Sequence, residues 1–249
     1  MRRGLAQREF LVYYQPQVEI ASGRVVGCEA LVRWNDPELG LVSPADFIPL
    51  AEDTGLIIPL GELVLDEACR QFRAWLDHGL PPFCLSINLS GRQLLRYDII
   101  RQIGGAIDRY DLPAERLKFE LTESMIMGRG EESAAMLSAI KALGVKLSID
   151  DFGTGYSSLA YLKRFPIDEL KIDRSFVCDI PNDTNDAEIA ATIIAMANNL
   201  HLSVVAEGVE TRRQADFLAG HGCRVCQGYL FSPPVPAEAF EALFEQPHD

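Results

Sequence analysis

KLSIDDFGTGYSS, residues 146–158, is the stretch on which the reading of the fold turns. Leu147 and Ile149 alternate with Ser148 and Asp150, the two-residue period of a strand. Asp150 and Asp151 stand side by side where that strand should end, and a loop with Gly153 and Gly155 follows. Adjacent carboxylates repel unless something positive lies between them. A capping aspartate with a solvated neighbour would account for the pair. So would two ligands of a hard divalent cation, which prefers oxygen donors. The other strands separate these readings, because the same design recurs along them.

Working outward, strands are predicted at Phe10–Gln17, Val25–Arg33, Phe83–Asn88, Leu117–Leu121, Glu169–Asp173, Ser203–Glu207 and Val225–Gln227. Helices are predicted from Pro44, over Glu62–His78, in the Gln93–Tyr110 region, and over Glu131–Leu143, Tyr156–Phe165, Asp186–Asn199, Thr211–Gly220 and Pro236–Phe244. Residues 37–43 read as a loop. Only a Ser22-Gly23 turn separates the first two strands, so they should run antiparallel. After them helix and strand alternate, which predicts a mostly parallel sheet. For 249 residues, a TIM-like (β/α)8 barrel with one antiparallel strand near the N-terminus fits best. An open doubly wound sheet is the competitor, but no GxGxxG follows a strand. Residues 1–8 are polar and basic and read as the remnant of a linker or helix from a longer parent; residues 9–249 read as one barrel domain.

A net charge of −13 argues against a DNA or RNA polymer as partner, since that binding needs a basic surface. No apolar run is long enough to span a bilayer, and the first residues lack a signal-peptide core. Cys28, Cys69, Cys84, Cys178, Cys223 and Cys226 include several in apolar segments, which predicts reduced thiols and a cytoplasmic location, with a membrane-anchored parent still compatible. Cys223 and Cys226 form a lone CxxC with no second pair, a poor zinc site.

Residues two apart on a strand share a face. Each strand then carries a polar group on its inner face near the carboxyl end: Asn88, Glu120, Asp150, Lys171, Glu207 and Gln227, with Glu29 able to join from the second strand. That rim is where parallel barrels place their active sites. Singly, each has an ordinary explanation. Asn88 could cap a helix, Glu120 could pair with an arginine, Glu207 and Glu210 could favour a helix N-terminus, and Lys171 could be half of an ion pair. Together, four carboxylates with one lysine would be costly to desolvate. Two Mg²⁺ or Mn²⁺ ions are the simplest compensation, with Asp150 bridging and Asp151 on the second ion. Lys171 then either deprotonates or orients an attacking water. A lyase or isomerase of the enolase type combines similar groups and is the bottom-up rival.

The ordered set YYQPQ (Tyr13–Gln17), EALVRW (Glu29–Trp34), SINLS (Ser86–Ser90), ELTES (Glu120–Ser124), DDFGTGYSSL (Asp150–Leu159), LKID (Leu170–Asp173), AEGVE (Ala206–Glu210) and QGYLFSPP (Gln227–Pro234) resembles the EAL domains, the cyclic di-GMP phosphodiesterases. The resemblance implies a barrel with one antiparallel strand and hydrolysis of cyclic di-GMP to linear pGpG. It implies metal ligation by Glu29, Asn88, Glu120, Asp150, Asp151 and Glu207, with Lys171 serving the water. Gln15, Leu31, Arg33, Glu210 and Gln227 would be the substrate-side residues. Glu123 would anchor a regulatory loop that includes Phe152, Gly153, Thr154, Gly155 and Tyr156, and the Asp151–Ser158 region would lie at a homodimer interface. Many members of this family only bind the nucleotide, so an inactive receptor is the second rival.

Overall fold

The Ser22-Gly23 turn folds β1 (Phe10–Glu19) back onto β2 (Val25–Asp36), and the pair runs antiparallel from Phe10 opposite Trp34 to Val18 opposite Val25. Gly23 takes φ 71°, the left-handed turn conformation that glycine adopts without steric cost. The computed structural model describes residues 1–96, 98–127, 130–155 and 162–244. A short third strand, β3 (Gly40–Val42), pairs with the end of β2, where residues 37–43 were expected to form a loop. The Asp36 carboxylate accepts from the amides of Glu38 and Leu39 at 2.8 and 3.1 Å, and the resulting tight turn sends the chain back along β2.

Parallel strands then follow in order: β4 (Cys84–Asn88), β5 (Leu117–Thr122), β6 (Lys146–Phe152), β7 (Glu169–Ile172), β8 (Ser203–Ala206) and β9 (Val225–Gln227). β9 pairs antiparallel with β1 and closes a ring of eight strands, leaving β3 outside it. The expected barrel is therefore present, and within the ring β1 is the strand that runs against the rest.

The helices are α1 (Arg2–Ala6), α2 (Pro44–Thr54), α3 (Ile57–Asp77), α4 (Gly91–Leu94), α5 (Asp98–Tyr110), α6 (Glu123–Met127), α7 (Gly130–Lys141), α8 (Thr184–Asn199), α9 (Arg212–Gly220) and α10 (Ala237–Glu241). α3 begins earlier than predicted, because Pro59 falls in its first turn, where a missing N–H costs nothing. The helix expected across Gln93–Tyr110 is two helices. Ser90 and Gln93 form a reciprocal cap on the short α4, and Arg96 pairs with Asp98 at 2.6 Å where α5 starts. Residues 156–161 of the helix predicted over Tyr156–Phe165 lie outside the described residues.

The outward faces of the strands carry Leu85, Ile87, Leu117, Phe119, Leu121, Leu147, Ile149, Leu170 and Ile172, all buried under the helices. An aromatic stack completes that layer: Trp75 lies 4.7 Å from Tyr14 and 4.8 Å from Phe240, ring centre to ring centre. A smaller core of Phe10, Phe47, Ala51, Ile57 and Leu60 receives Met1 and Leu5, so α1 is packed down rather than extended.

The inside of the barrel is polar, unlike the branched apolar filling common in such folds. Lys118 of β5 reaches across to Glu169 of β7 at 2.5 Å. The hydroxyls of Ser148 and Ser203 donate to the two Glu169 oxygens at 3.2 and 3.1 Å. Both charged side chains are nearly sealed from water, and removing one partner of such a pair strands the other charge. Lys118→Met is expected to lower unfolding stability by about 3–5 kcal/mol, with Lys118→Met/Glu169→Met regaining most of it. Urea titration checks this; additive losses in the double variant would contradict it.

Candidate active site

The strand alternation that sends leucine and isoleucine outward sends Glu29, Glu120, Asp150 and Lys171 into the mouth of the barrel, and Glu207 joins them one residue past β8. The Lys171 ammonium is fully buried. It lies 3.2 Å from Glu29, 2.5 Å from Glu120, 3.2 Å from Asp150 and 2.7 Å from Glu207. These partners come from β2, β5, β6 and the segment after β8, so the contacts cross the lumen rather than run along one strand.

One ammonium does not balance the carboxylates around it. Glu29, Glu120 and Asp150 present oxygens within 4.8 Å of one another, and Asp150, Asp151 and Glu207 do the same. The two triads share Asp150, the bridging position expected from sequence. Glu120 Oε1 is buried and finds no hydrogen-bond partner among the described residues. A lone buried carboxylate oxygen is costly. Burial, with Glu29 and Asp150 nearby, pushes Glu120 up to about 8 even though Lys171 opposes it. Burial also pushes Glu207 well up, with Asp150 and Glu29 adding to it. Asp151 rises to about 6, through burial and then the charges of Asp150 and Asp173. Burial alone would depress Lys171, but Asp150, Glu120, Glu207 and Glu29 outweigh it and hold the ammonium. An all-oxygen set, an excess of negative charge and an orphaned carboxylate oxygen fit hard divalent cations.

The neutral neighbours aim at Glu29. Asn88 donates to its Oε1 at 2.7 Å, and Gln227 donates to its Oε2 at 2.6 Å. Against the upward push of burial, Lys171, Gln227 and Asn88 hold Glu29 below the usual carboxylate range. Gln227 also donates to Gln15 at 3.0 Å, and Gln15 donates to the Ser232 carbonyl at 3.1 Å.

A regular strand would send Asp150 and Asp151 to opposite faces. Instead β6 continues to Phe152, the β6–β7 register shifts between Ile149 and Phe152, and Asp151 adopts φ 54°. Its amide donates to Asp150 Oδ1 at 3.0 Å. The irregularity brings both carboxylates to one mouth, and it moves the strand end two residues beyond Asp150. Asp173, the last residue of the strand predicted over Glu169–Asp173, caps the following turn by accepting from the Ser175 amide at 3.0 Å.

The loop begins as a tethered segment. Gly153 donates its amide to Glu123 Oε2 at 3.1 Å, and Thr154 donates to the Asp151 carbonyl at 2.8 Å. Gly153 has φ 100°, and a Cβ there would come within 2.9 Å of the Phe176 ring, so both conformation and space demand glycine. Phe152 is buried, Gly155 abuts Glu123, and Tyr156 lies outside the described residues.

On the rim, Leu31 and Arg33 share the β2 face that carries Glu29. Arg33 is half-buried, lies 5.8 Å from the Tyr13 ring centre and donates to the Val32 carbonyl at 2.8 Å. Burial lowers its pKa. Glu210 is exposed and pairs with Arg174 at 2.9 Å. Sequence reasoning passed over Lys118, Glu169 and Gln17, which form the layer beneath the site. Lys118 sits two residues before Glu120, and that spacing was the available signal.

Comparison with known proteins agrees with this geometry. The EAL domain profile matches residues 1–234. The bifunctional diguanylate cyclase/cyclic di-GMP phosphodiesterase MucR of Pseudomonas aeruginosa is 47% identical over 238 residues, covering 96% of this chain and 35% of MucR. The cyclic di-GMP phosphodiesterase NbdA of the same organism is 46% identical over 241 residues, covering 97% of this chain and 31% of NbdA. The chain thus spans about a third of these relatives' length. The PaMucR phosphodiesterase, solved as a c-di-GMP complex, superimposes with a TM-score of 0.93 at 46% identity, covering 96% of this chain and 97% of that one. With the motifs, the barrel and this breadth of match together, the chain belongs to the EAL domain family.

Proposed function

We propose that this chain hydrolyses cyclic di-GMP to linear pGpG in a metal-dependent reaction. The observation that carries the reading is the pair of carboxylate triads sharing Asp150 around a buried Lys171. Relatives named as cyclic di-GMP phosphodiesterases support the substrate, as does a neighbour solved with c-di-GMP bound. Two divalent cations, Mg²⁺ or Mn²⁺, would be held by Glu29, Asn88, Glu120, Asp150, Asp151 and Glu207, and when bound would supply Lewis acidity toward water and phosphate.

The chain's own residues do the rest. Water adds to one phosphorus, the bond from that phosphorus to the 3′ oxygen breaks, and a proton ends on that oxygen. Lys171 lies among the carboxylates at the mouth and orients the attacking oxygen by donating to it. Arg33, on the same face as Glu29, suits a phosphate oxygen because its fork matches that geometry. Gln15 and Leu31 line the same rim, and Gln227 steadies Glu29. Glu210 contributes from the edge, with Arg174 beside it.

Glu123, holding the Gly153 amide, supports a regulatory role for the loop that follows Asp151, with a homodimer built around that region. The relatives' greater length supports a multidomain parent. Among the described residues no helix is long and apolar enough to cross a membrane. The free cysteines, four of them buried, support a cytoplasmic location.

Incubation with cyclic di-GMP and Mn²⁺ or Mg²⁺ is expected to yield pGpG by chromatography. Glu29→Ala and Lys171→Ala are each expected to lower turnover by about 10²–10³-fold. Binding without turnover in the unaltered protein would make it a receptor instead, and absence of binding would remove the substrate assignment. Independently of activity, Mn²⁺ at about 100 times its Kd should stabilise the fold by about 2.7 kcal/mol. For a chain of this size that raises Tm by roughly 5–10 °C. Asp150→Asn should abolish most of the rise; an undiminished rise would place the cations elsewhere.

A further inference from the structure

Beneath the carboxylates a single hydrogen-bonded line crosses the barrel. Glu169 holds Lys118 at 2.5 Å, and Lys118 donates to Gln17 Oε1 at 3.4 Å. Gln17 Nε2 donates to Gln227 Oε1 at 3.1 Å. Gln227 Nε2 then donates to Glu29 Oε2 at 2.6 Å and to Gln15 Oε1 at 3.0 Å. Glu169, Lys118, Gln17 and Gln227 are all buried.

The line has a direction set by its charged end. A lysine ammonium has donors and no acceptor, so the Gln17 group that faces it must be the carbonyl oxygen. That leaves the Gln17 NH₂ for Gln227, whose facing group must then be its own oxygen. The Gln227 NH₂ is therefore turned to Glu29. The reverse orientation would set a carbonyl oxygen 2.6 Å from a carboxylate oxygen, a repulsive contact. Space is kept for this arrangement. Gly27 lies opposite Gln17 in the β1–β2 register, and a Cβ there would come within 2.6 Å of Gln17 Oε1.

We propose that Gln17 is a positioning residue: polarised by the Lys118–Glu169 pair, it fixes the amide orientation of Gln227 and through it the placement of Glu29. The role of Glu29 in catalysis rests on the function proposed above; the direction of the hydrogen-bonded line does not.

Two measurements test this. In nuclear magnetic resonance of the unaltered protein, the Gln227 side-chain amide protons are expected to show through-space contacts to the γ-methylene of Gln15. The Gln17 amide protons should contact the γ-methylene of Gln227. The reversed pattern, with Gln227 amide protons against Gln17, would overturn the proposal without any substitution in the core. The second measurement compares Gln17→Leu, Gln227→Leu and the double variant. Each single change is expected to lower kcat by about 10–100-fold, the usual cost of losing a partner that orients a ligating group, with KM changed far less. Because Gln17 acts through Gln227, the double variant should be no slower than the slower single one, within about twofold. A loss equal to the product of the two single losses would show that Gln17 acts by another route. If Gln17→Leu unfolds, Gly27→Ala, which presses on Gln17 while removing no polar group, is expected to lower kcat in the unaltered background and not in the Gln227→Leu one. An equal loss in both backgrounds overturns the proposal. A wild-type protein that forms no pGpG while giving the expected contacts would defeat the proposed function and leave the orientation standing.

Discussion

The structure depends on a charge imbalance at the mouth of the barrel. Lys171, fully buried, faces Glu29, Glu120, Asp150 and Glu207, with Asp151 close by. Water screens this poorly, because Lys171, Glu29 and Glu120 are buried and the other acids only partly exposed. Removing any acid would lessen the repulsion, yet the strands deliver every one of them to the same place. A set of ligands that repel when alone is what a strong cation site looks like before its cations are counted. The orphaned Glu120 oxygen is the local sign of the same imbalance.

The barrel makes this arrangement mechanically possible. Site residues on neighbouring parallel strands follow a stagger: Asn88 pairs in register with Glu120, while Asp150 pairs with Thr122, two residues beyond Glu120. The reversed strand β1 serves the same level from the other direction, since Gln15 lies opposite Glu29 and Gln17 opposite Gln227. An amide-bearing strand beside Glu29 supplies donors without adding charge. The polar layer below, built on Lys118 and Glu169, continues the lumen downward as a filled and hydrogen-bonded core rather than an apolar one.

Much of this was legible in the sequence because two-residue periodicity reports a side chain's face without reference to any partner. Leu147 and Ile149 against Ser148 and Asp150 is a local statement, and so is Leu170 and Ile172 against Lys171. What was not legible depends on partners distant in sequence. The left-handed Asp151 and the slipped β6–β7 register are set by how β7 pairs, and nothing in IDDF by itself announces them. Lys118 and Glu169 are 51 residues apart and meet across the lumen, so each reads alone as an ordinary strand polar residue. The strand β3 depends on the Asp36 side chain trapping two amides, a turn that composition hides. The start of α4 ahead of Gln93 was readable in principle from Ser90 and Gln93, whose spacing is that of a capping box.

The loop after Asp151 shares its support with the acids. Glu123 directly follows Thr122, which pairs with Asp150, and Glu123 accepts from the Gly153 amide. β5 therefore supplies one acid of the cluster, Glu120, and α6, which follows it directly, opens with Glu123, the tether of the loop that leaves another, Asp151. Gly153 is linked to Asp151 through two peptide units, and to Glu120 through Glu123 and a short piece of β5. Asp151 already sits in the left-handed region, where a non-glycine residue persists only if its surroundings over-determine it. The Glu123 tether, the Thr154 hydroxyl on the Asp151 carbonyl and the Asp151 amide on Asp150 are those surroundings. The regulatory role proposed for the loop would use these links, which join it to the carboxylates whose mutual repulsion defines the mouth of the barrel.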